Sequence, residues 1–131
     1  MRMDLTSLFA VGCGAFLGAV LRWMLGFWLN PLFPTLPLGT LGANLLGGLL
    51  MGLAMGVFSQ FDALSPAARL FFTTGFLGGL TTFSTFSAET VTLMLRQQYA
   101  WMLAIVSVHV IGTLATTLAG IGLVRALTTA R

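Results

Sequence analysis

Four long apolar segments occupy most of this chain, and they restrict its fold more than any other feature. They cover roughly residues 8–29, 38–58, 67–95 and 100–123 of the 131. A helix needs about 20 apolar residues to cross the hydrocarbon core of a bilayer. Each segment reaches that length, so the sequence predicts an all-α membrane protein. We expect a single transmembrane domain, residues 1–131, with four transmembrane helices.

The charges are few and fall mostly between the apolar segments. Only 7% of the residues are charged, whereas about 25% is usual for a soluble domain. The net charge of +3 is carried by arginine, without a basic stripe of interleaved aromatic residues, so the composition excludes a nucleic-acid partner. The sequence has no paired carboxylates, no nucleophile with a base and no ligand cluster, so we expect no enzyme activity.

The arginines give only a weak preference for one orientation in the membrane. Arg2, Arg69, Arg125 and Arg131 would flank one face, and Arg22 and Arg96 the other. Orientation follows the excess of positive residues on the cytoplasmic side. So small an excess indicates that the chain can insert either way up.

Short connections separate the segments. Asn30-Pro31 begins the first, residues 59–66 form the second, and residues 96–99 form the third. Ser65 is expected to cap the third helix, with Pro66 at its first position. Because the connections are short, consecutive helices should pack antiparallel.

Small residues recur at a spacing of four in three of the segments. They are Gly14 and Gly18, then Gly48, Gly52 and Gly56, then Gly112, Thr116 and Gly120. Apolar side chains gain little by meeting each other in lipid, so close backbone approach through small residues drives helix association. The spacing therefore predicts tight helix packing, and by itself it indicates nothing about transport.

The third segment departs from the pattern of a plain helix. Three glycines precede five hydroxyl residues within the seven positions 81–87, all near the middle of the membrane by count. Gly78-Gly79 weakens the helix by about 1 kcal/mol per glycine. We expect the backbone to open there, which would free carbonyls for a cation and amides and hydroxyls for an anion. The alternative is a flexed helix whose hydroxyls bond to its own carbonyls.

Phe83 and Phe86 lie within this hydroxyl-rich stretch and should project on roughly the same side. An aromatic ring has a positive edge, which can point at an anion. Two phenylalanines in a membrane helix are more often packing residues. Their place inside the hydroxyl repeat favours the anion hypothesis.

Two other helices carry polar residues at helical spacing. Thr40 and Asn44 continue into the Gly48 seam, so they should face protein. Asn44 can donate to an anion or make an interhelical hydrogen bond. His109 is expected to be a hydrogen-bonded packing residue rather than a proton carrier, and Thr113 offers a hydroxyl to the same interior.

Two charged residues lie inside the segments. Arg22 most simply extends its guanidinium to the membrane interface. Glu89 is the only acid within a predicted span, and it can line a vestibule or pair with an arginine. Both are therefore candidate vestibule residues.

Three stretches resemble the bacterial fluoride channels, the Fluc or CrcB family. They are GFLGGLTTFSTFSAE at 75–89, GAVLRW at 18–23 and PLGTLGANLLG at 37–47. Together with the four spans and the small size, the resemblance covers nearly the whole chain. The motif at 75–89 is long and highly specific.

The resemblance implies an antiparallel, dual-topology homodimer in the bacterial cytoplasmic (inner) membrane, with the third helix broken in mid-membrane. It implies passive export of cytoplasmic fluoride and a structural sodium ion at the dimer centre. The partners would be fluoride, sodium, the lipid bilayer and a second copy of the chain. The resemblance assigns the sodium ion to the backbone carbonyls of Gly78 and Thr81. It assigns the fluoride pathway to Asn44, Thr82, Phe83, Ser84, Phe86 and Thr113.

Two other functions compete with this one. A small proton-coupled multidrug exporter of the four-helix dimeric type shares the size and the four spans. It needs a membrane-embedded carboxylate, the first segment has none, and Glu89 lies far along the third. A non-transporting assembly subunit would suit the glycine seams but leaves the hydroxyls and Asn44 without a purpose.

Overall fold

The computed structural model describes residues 4–60 and 64–130, and they form helices joined by short turns. We label the helices α1 to α5. Helix α1 is Leu5–Leu29, α2 is Leu38–Phe58, α4 is Phe83–Leu95 and α5 is Tyr99–Thr129. Helix α3 runs from Pro66–Leu70 through a π-helical stretch, Phe71–Leu77, to Gly78–Leu80.

Three of the described helices are long and apolar enough to cross a membrane. They are α1 with the turn that follows it (Leu5–Leu32), α2 and α5. The third apolar segment of the sequence corresponds to α3 followed by α4. With 13 residues, α4 is shorter than a full span.

The helix ends follow ordinary capping chemistry. The carboxylate of Asp4 accepts from the Ser7 amide at 2.7 Å, and this bond lowers the pKa of Asp4. The prediction for α3 is confirmed, because Ser65 accepts from the Ala68 amide and Pro66 is the first helical residue. Gln97 has a φ of 58° and turns the chain between α4 and α5.

The seams of small residues lie at helix contacts, as the spacing predicts. A methyl group on Gly18 of α1 would overlap the Phe76 carbonyl oxygen of α3. A methyl on Gly52 of α2 would overlap the Thr117 carbonyl oxygen of α5. The backbones of these helix pairs therefore approach as closely as they do because both positions lack a side chain.

The predicted backbone opening at Gly78-Gly79 is wrong. Both glycines are helical, with Gly78 at φ −63°, ψ −35°. The backbone becomes extended at Thr81 (φ −81°, ψ 155°) and Thr82 (φ −148°, ψ 118°). A glycine weakens a helix by only about 1 kcal/mol, which is too little by itself to end one. Gly79 serves packing instead, since a methyl there would overlap the Ala15 carbonyl oxygen of α1.

Two small apolar clusters flank the extended residues. Ala43, Leu77 and Leu80 join α2 to the end of α3. The other cluster, formed by Phe86, Leu93 and Ile105, joins α4 to α5. Thr81 and Thr82 thus lie between two packed regions, which fixes the position at which α3 gives way to α4.

Candidate functional site

A groove of about 510 Å³ opens where α3 ends, between α2, α4 and α5. Its lining combines apolar residues with hydroxyl, amide and imidazole groups. Most residues singled out from the sequence lie in it. They are Asn44, Gly78, Thr81, Thr82, Phe83, Phe86 and Thr113.

Asn44 binds the extended backbone at Thr82 through both ends of its amide. Its Oδ1 accepts from the Thr82 N–H at 2.8 Å, and its Nδ2 donates to the Thr82 carbonyl at 3.0 Å. These two bonds fix which end of the amide is oxygen and which is nitrogen. Asn44 thus supplies the acceptor that the Thr82 N–H would otherwise find in the helix, and it adds a second donor to the Thr82 carbonyl, which also accepts the first helical bond of α4. The interhelical bond considered from the sequence is present, between α2 and the α3–α4 junction.

The same amide nitrogen also contacts His109 on α5, at 3.1 Å from Nδ1. An amide nitrogen can only donate, so Nδ1 accepts and the neutral ring carries its proton on Nε2. His109 is 5% exposed, and its Nε2 has no hydrogen-bond partner among the described residues. Such an unpaired buried donor costs about 1–3 kcal/mol. The expected packing role therefore accounts for one ring nitrogen and leaves the other unexplained.

The two phenylalanines of the motif lie together in the groove, with ring centroids 5.5 Å apart and planes at 58°. Their environments differ. Phe86 is 8% exposed and lies 4.7 Å from the His109 ring, whereas Phe83 is 79% exposed. Phe83 therefore forms the open side of the groove and Phe86 its inner wall.

Hydroxyl groups cluster at the start of α4. Thr82 Oγ1 accepts from the Thr85 amide at 3.1 Å and caps the helix. It also lies 3.2 Å from the hydroxyl of Ser84 and 3.0 Å from that of Thr85. Ser84 is exposed and does not line the groove itself, but it is linked to the groove through Thr82.

The extended residues leave backbone carbonyls without their usual helical donors. In an unbroken helix the Thr82 N–H would serve the Gly78 carbonyl, and the Thr85 N–H would serve that of Thr81. Here the first donates to Asn44 and the second to Thr82 Oγ1. Freed carbonyls are hard oxygen ligands of the kind that sodium accepts, so the residues present fit such an ion. The described residues contain no group of three or more His, Cys, Asp or Glu that could hold a metal.

Arg22, which the sequence predicts to extend toward the membrane interface, also contacts the end of α3. Its Nε donates to the Gly79 carbonyl at 2.9 Å, which replaces the amide that an unbroken helix would supply from Phe83. Arg22 lines a separate groove of about 320 Å³, together with Thr40, Thr82 and other residues. The contact between Arg22 and the Gly79 carbonyl is favourable because a guanidinium can satisfy a freed carbonyl as well as water can.

Glu89 lies in another groove of about 320 Å³, which also includes Arg96. Its Oε1 accepts from Thr40 Oγ1 at 2.6 Å, and its Oε2 is buried without a partner among the described residues. Neither Glu89 nor Arg22 lines the main groove. Thr85 lines both the groove of Glu89 and the groove of Arg22, so these two grooves lie close to each other.

The sequence matches the family model described as "CrcB-like protein, Camphor Resistance (CrcB)" over residues 9–121. A protein of Nitrosospira multiformis named "Fluoride-specific ion channel FluC" is 63% identical over 119 residues, 91% of this chain and 93% of that protein. A protein of the same name from Chromohalobacter salexigens is 58% identical over 115 residues, 88% of this chain and 87% of its own.

A third relative, from Pseudomonas putida, carries the same name and is 55% identical over 117 residues, 89% of this chain and 92% of its own. The apolar helices and these channel relatives together make the chain a multi-pass membrane protein rather than an enzyme. With a family model that matches residues 9–121 and relatives this similar along most of its length, the chain belongs to the CrcB-like family.

Proposed function

We propose that this protein is a passive, fluoride-selective ion channel. The observation that carries the proposal is the groove at the end of α3, where hydroxyls, aromatic rings and freed backbone groups meet. The relatives named as fluoride-specific ion channels support the choice of ion. No step in such conduction requires a catalytic residue.

The residues of the groove can replace the hydrogen bonds and favourable charge contacts that a small anion loses when it leaves water. The hydroxyl of Thr113 can donate a hydrogen bond to it, and that of Thr82 can do so by giving up its bond to the Thr85 hydroxyl. The ring edges of Phe83 and Phe86 carry positive partial charge. Because these groups do not titrate, the ion would move down its electrochemical gradient without a coupled proton. In a bacterial inner membrane this would allow fluoride to leave the cytoplasm.

The proposed channel is an antiparallel homodimer. In a single chain the groove is open and Phe83 is largely exposed, so a second copy would be needed to enclose the ion. Arg69, at the start of α3, stacks on the Phe58 ring at the end of α2, at 5.0 Å. Gln60, just after α2, bonds to Thr128 at the end of α5. These three helix ends therefore lie at the same end of the helix bundle. Arg96 follows α4 at the other side. Of the residues used for the orientation argument, Arg2 and Arg131 lie outside the described residues.

A structural sodium ion at the dimer centre is the second part of the proposal. The carbonyls of Gly78 and Thr81, freed from their helical donors, would hold it. When bound, the ion would neutralise the partial negative charge of those carbonyls in a region without water. Asn44 and Arg22 hold the adjoining backbone in the conformation that exposes them.

Fluoride efflux from liposomes tests the proposed function. Purified protein is reconstituted with internal potassium fluoride, a potassium ionophore is added, and released fluoride is followed with an electrode. We expect rapid release that Phe83→Leu and Phe86→Leu each lower by at least about fivefold, since each ring contact contributes roughly 1 kcal/mol or more to the ion in a dry site.

The matched control is Phe16→Leu, the same substitution at an exposed phenylalanine of α1 that does not line the groove; its release should equal that of the wild type. Release of chloride as fast as fluoride would contradict fluoride selectivity. Release that requires a proton gradient would instead favour the proton-coupled exporter, for which Glu89 is the candidate carboxylate.

A further inference from the structure

We infer that Arg22 restricts the carbonyl site at the end of α3 to a monovalent cation, because it brings a positive charge to those carbonyls together with its hydrogen bond. This inference rests on the proposed sodium site and deepens it. It assigns the choice between a singly and a doubly charged ion to a positioning residue of α1, which acts on the ion through the backbone of α3.

A single contact ties Arg22 to the end of α3. Its Nε donates to the Gly79 carbonyl at 2.9 Å, across 57 positions of the chain. Gly79 directly follows Gly78 and comes two residues before Thr81, so the guanidinium lies beside the two carbonyls proposed to hold the ion. By taking the Gly79 carbonyl, Arg22 also removes that oxygen from those that are free to bind a cation.

The described residues around this contact offer no carboxylate to offset the charge. Thr82 lines both the main groove and the groove of Arg22, so the two grooves meet at the extended backbone. Among the described residues that line these two grooves, Arg22 is the only Arg, Asp or Glu. Glu89 lines the neighbouring groove, and its Oε1 accepts from Thr40. The carbonyls therefore lie next to a positive charge without a negative one among them.

A fixed positive charge discriminates between cations by their charge. Its repulsion on a divalent ion is about twice that on a monovalent ion at the same place, and a site away from water screens this repulsion weakly. Proteins usually bind calcium through carboxylates, which compensate its double charge. The dipoles of neutral carbonyls beside a guanidinium compensate much less. The site should therefore accept sodium and reject calcium, although the two ions are close in size.

Two substitutions separate the charge of Arg22 from its hydrogen bond. Arg22→Gln removes the charge and keeps a donor at the place of Nε, because a nitrogen follows Cδ in both side chains. Arg22→Lys does the reverse, since lysine keeps the charge and has a carbon at that place. The matched control is Arg96→Gln, the same substitution at an exposed arginine that lines neither groove.

The dependence of thermal stability on added cations tests the inference without measuring transport. The protein is purified in choline chloride, and sodium chloride or calcium chloride then replaces choline at constant ionic strength. A cation that binds the folded protein raises its melting temperature in a saturable way, read by size exclusion after heating. We expect sodium to stabilise the wild type and the Arg96→Gln control, and calcium to stabilise neither.

The Arg22 variants should differ from the wild type in opposite directions. Arg22→Gln should reach half of its stabilisation at a sodium concentration at least about tenfold lower, because the repulsion is gone, and calcium should now stabilise it. Arg22→Lys should need more sodium than the wild type and still reject calcium. An Arg22→Gln protein with the sodium dependence of the wild type, or a wild type that calcium stabilises as sodium does, would overturn the inference.

Ala19→Glu provides the same test if Arg22→Gln does not fold. Ala19 lies one helical turn before Arg22 and lines the same groove, so a carboxylate there would offset the charge of Arg22 and leave the side chain in place. It should also lower the sodium concentration at half stabilisation, whereas Ala19→Gln, of the same shape without the charge, should not. Equal sodium dependence in both Ala19 variants would count against the inference.

The outcomes separate this inference from the proposed function. If the wild type releases fluoride but sodium leaves its stability unchanged, the proposed sodium site and the inference fail while the channel stands. If sodium stabilises the wild type as described but no fluoride is released, the channel fails and the inference holds. If the wild type shows both properties and Arg22→Gln binds the two cations as the wild type does, the inference alone is wrong.

Discussion

The backbone of Thr82 is the point at which several distant side chains act together. Asn44 takes its N–H and its carbonyl, and Arg22 takes the carbonyl of nearby Gly79. The bonds to the Thr82 N–H and to the Gly79 carbonyl each replace one that a continuous helix would have made within its own backbone. Side chains on α1 and α2 thus stabilise an extended pair of residues that local sequence would not favour.

Replacing Asn44 should therefore affect both stability and conduction. Asn44→Ala leaves the Thr82 N–H and His109 Nδ1 without their partners, and each loss costs about 1–3 kcal/mol. The Thr82 carbonyl loses one donor and keeps the first helical bond of α4. We expect a clear fall in the melting temperature, measured as the fraction of intact protein on size exclusion after heating, and little fluoride efflux.

Asn30→Ala is the matched control, because Asn30 also accepts from backbone amides, those of Gly39 and Thr40. It should lower the melting temperature moderately while efflux per folded protein is unchanged. Equal melting temperatures for Asn44→Ala and the wild type would contradict the role assigned to Asn44.

Arg22 should not be replaceable by lysine. The Nε of Arg22 lies along the side chain and donates to the Gly79 carbonyl, and lysine has no donor at that position. Arg22→Lys keeps the charge and should still lower stability by about 1–3 kcal/mol, read from the same heating assay. Arg96→Lys, at an exposed arginine, is the comparison and should change nothing. Identical curves for both variants would rule out the carbonyl contact as a stabilising one.

Helix pairs in this fold are held by backbone proximity rather than by large side chains. Helix α1 packs on α3 through Gly14, Gly18, Gly75 and Gly79, and α2 packs on α5 through Gly48, Gly52 and Gly120. Such contacts gain van der Waals energy where lipid offers no hydrophobic driving force. They also leave little room for a methyl group on either helix.

Alanine substitutions should separate glycines in these seams from glycines elsewhere. Gly52→Ala would overlap the Thr117 carbonyl and should destabilise the protein by about 1–3 kcal/mol. Gly122→Ala, on α5, meets nothing within 4 Å and should be neutral or stabilise by up to about 1 kcal/mol. Heating followed by size exclusion measures both, and a destabilised Gly122→Ala with an unaffected Gly52→Ala would refute the seam assignment.

The proposed channel calls for a second chain, since one chain alone leaves the groove open on the side of Phe83. The arginine excess between the two ends is small: of the described arginines, Arg69 and Arg125 count toward one end and Arg22 and Arg96 toward the other. Balanced ends permit both orientations in the membrane, which an antiparallel pair requires.

Fixing the orientation should abolish conduction by either chain alone. Ser59→Lys with Gln60→Lys adds positive charge at the end near Arg69, and Gln97→Lys with Gln98→Lys adds it at the end near Arg96. Each double variant should insert in one orientation and give little fluoride efflux when expressed alone. Expressed together they should restore it. Full efflux from either variant by itself would argue against the antiparallel dimer.

The amino-acid sequence by itself determined the features that depend on residues close together along the chain. Hydropathy predicted four apolar segments, three of which are single helices long enough to cross a membrane. Glycine spacing predicted tight helix packing, and the 75–89 motif indicated residues that line the groove. The Ser65 cap was predictable for the same reason, because a cap depends on residues three positions apart.

Only the tertiary structure decided where the third segment leaves the helix and what surrounds that point. Sequence patterns favoured Gly78-Gly79, but the extended residues are Thr81 and Thr82, where Asn44, 38 positions away, bonds to both backbone groups of Thr82. The tautomer of His109 depends on the same amide, across 65 positions. A hydrogen bond between residues so far apart leaves no trace in local propensity, so folding had to bring the partners together before either feature was defined.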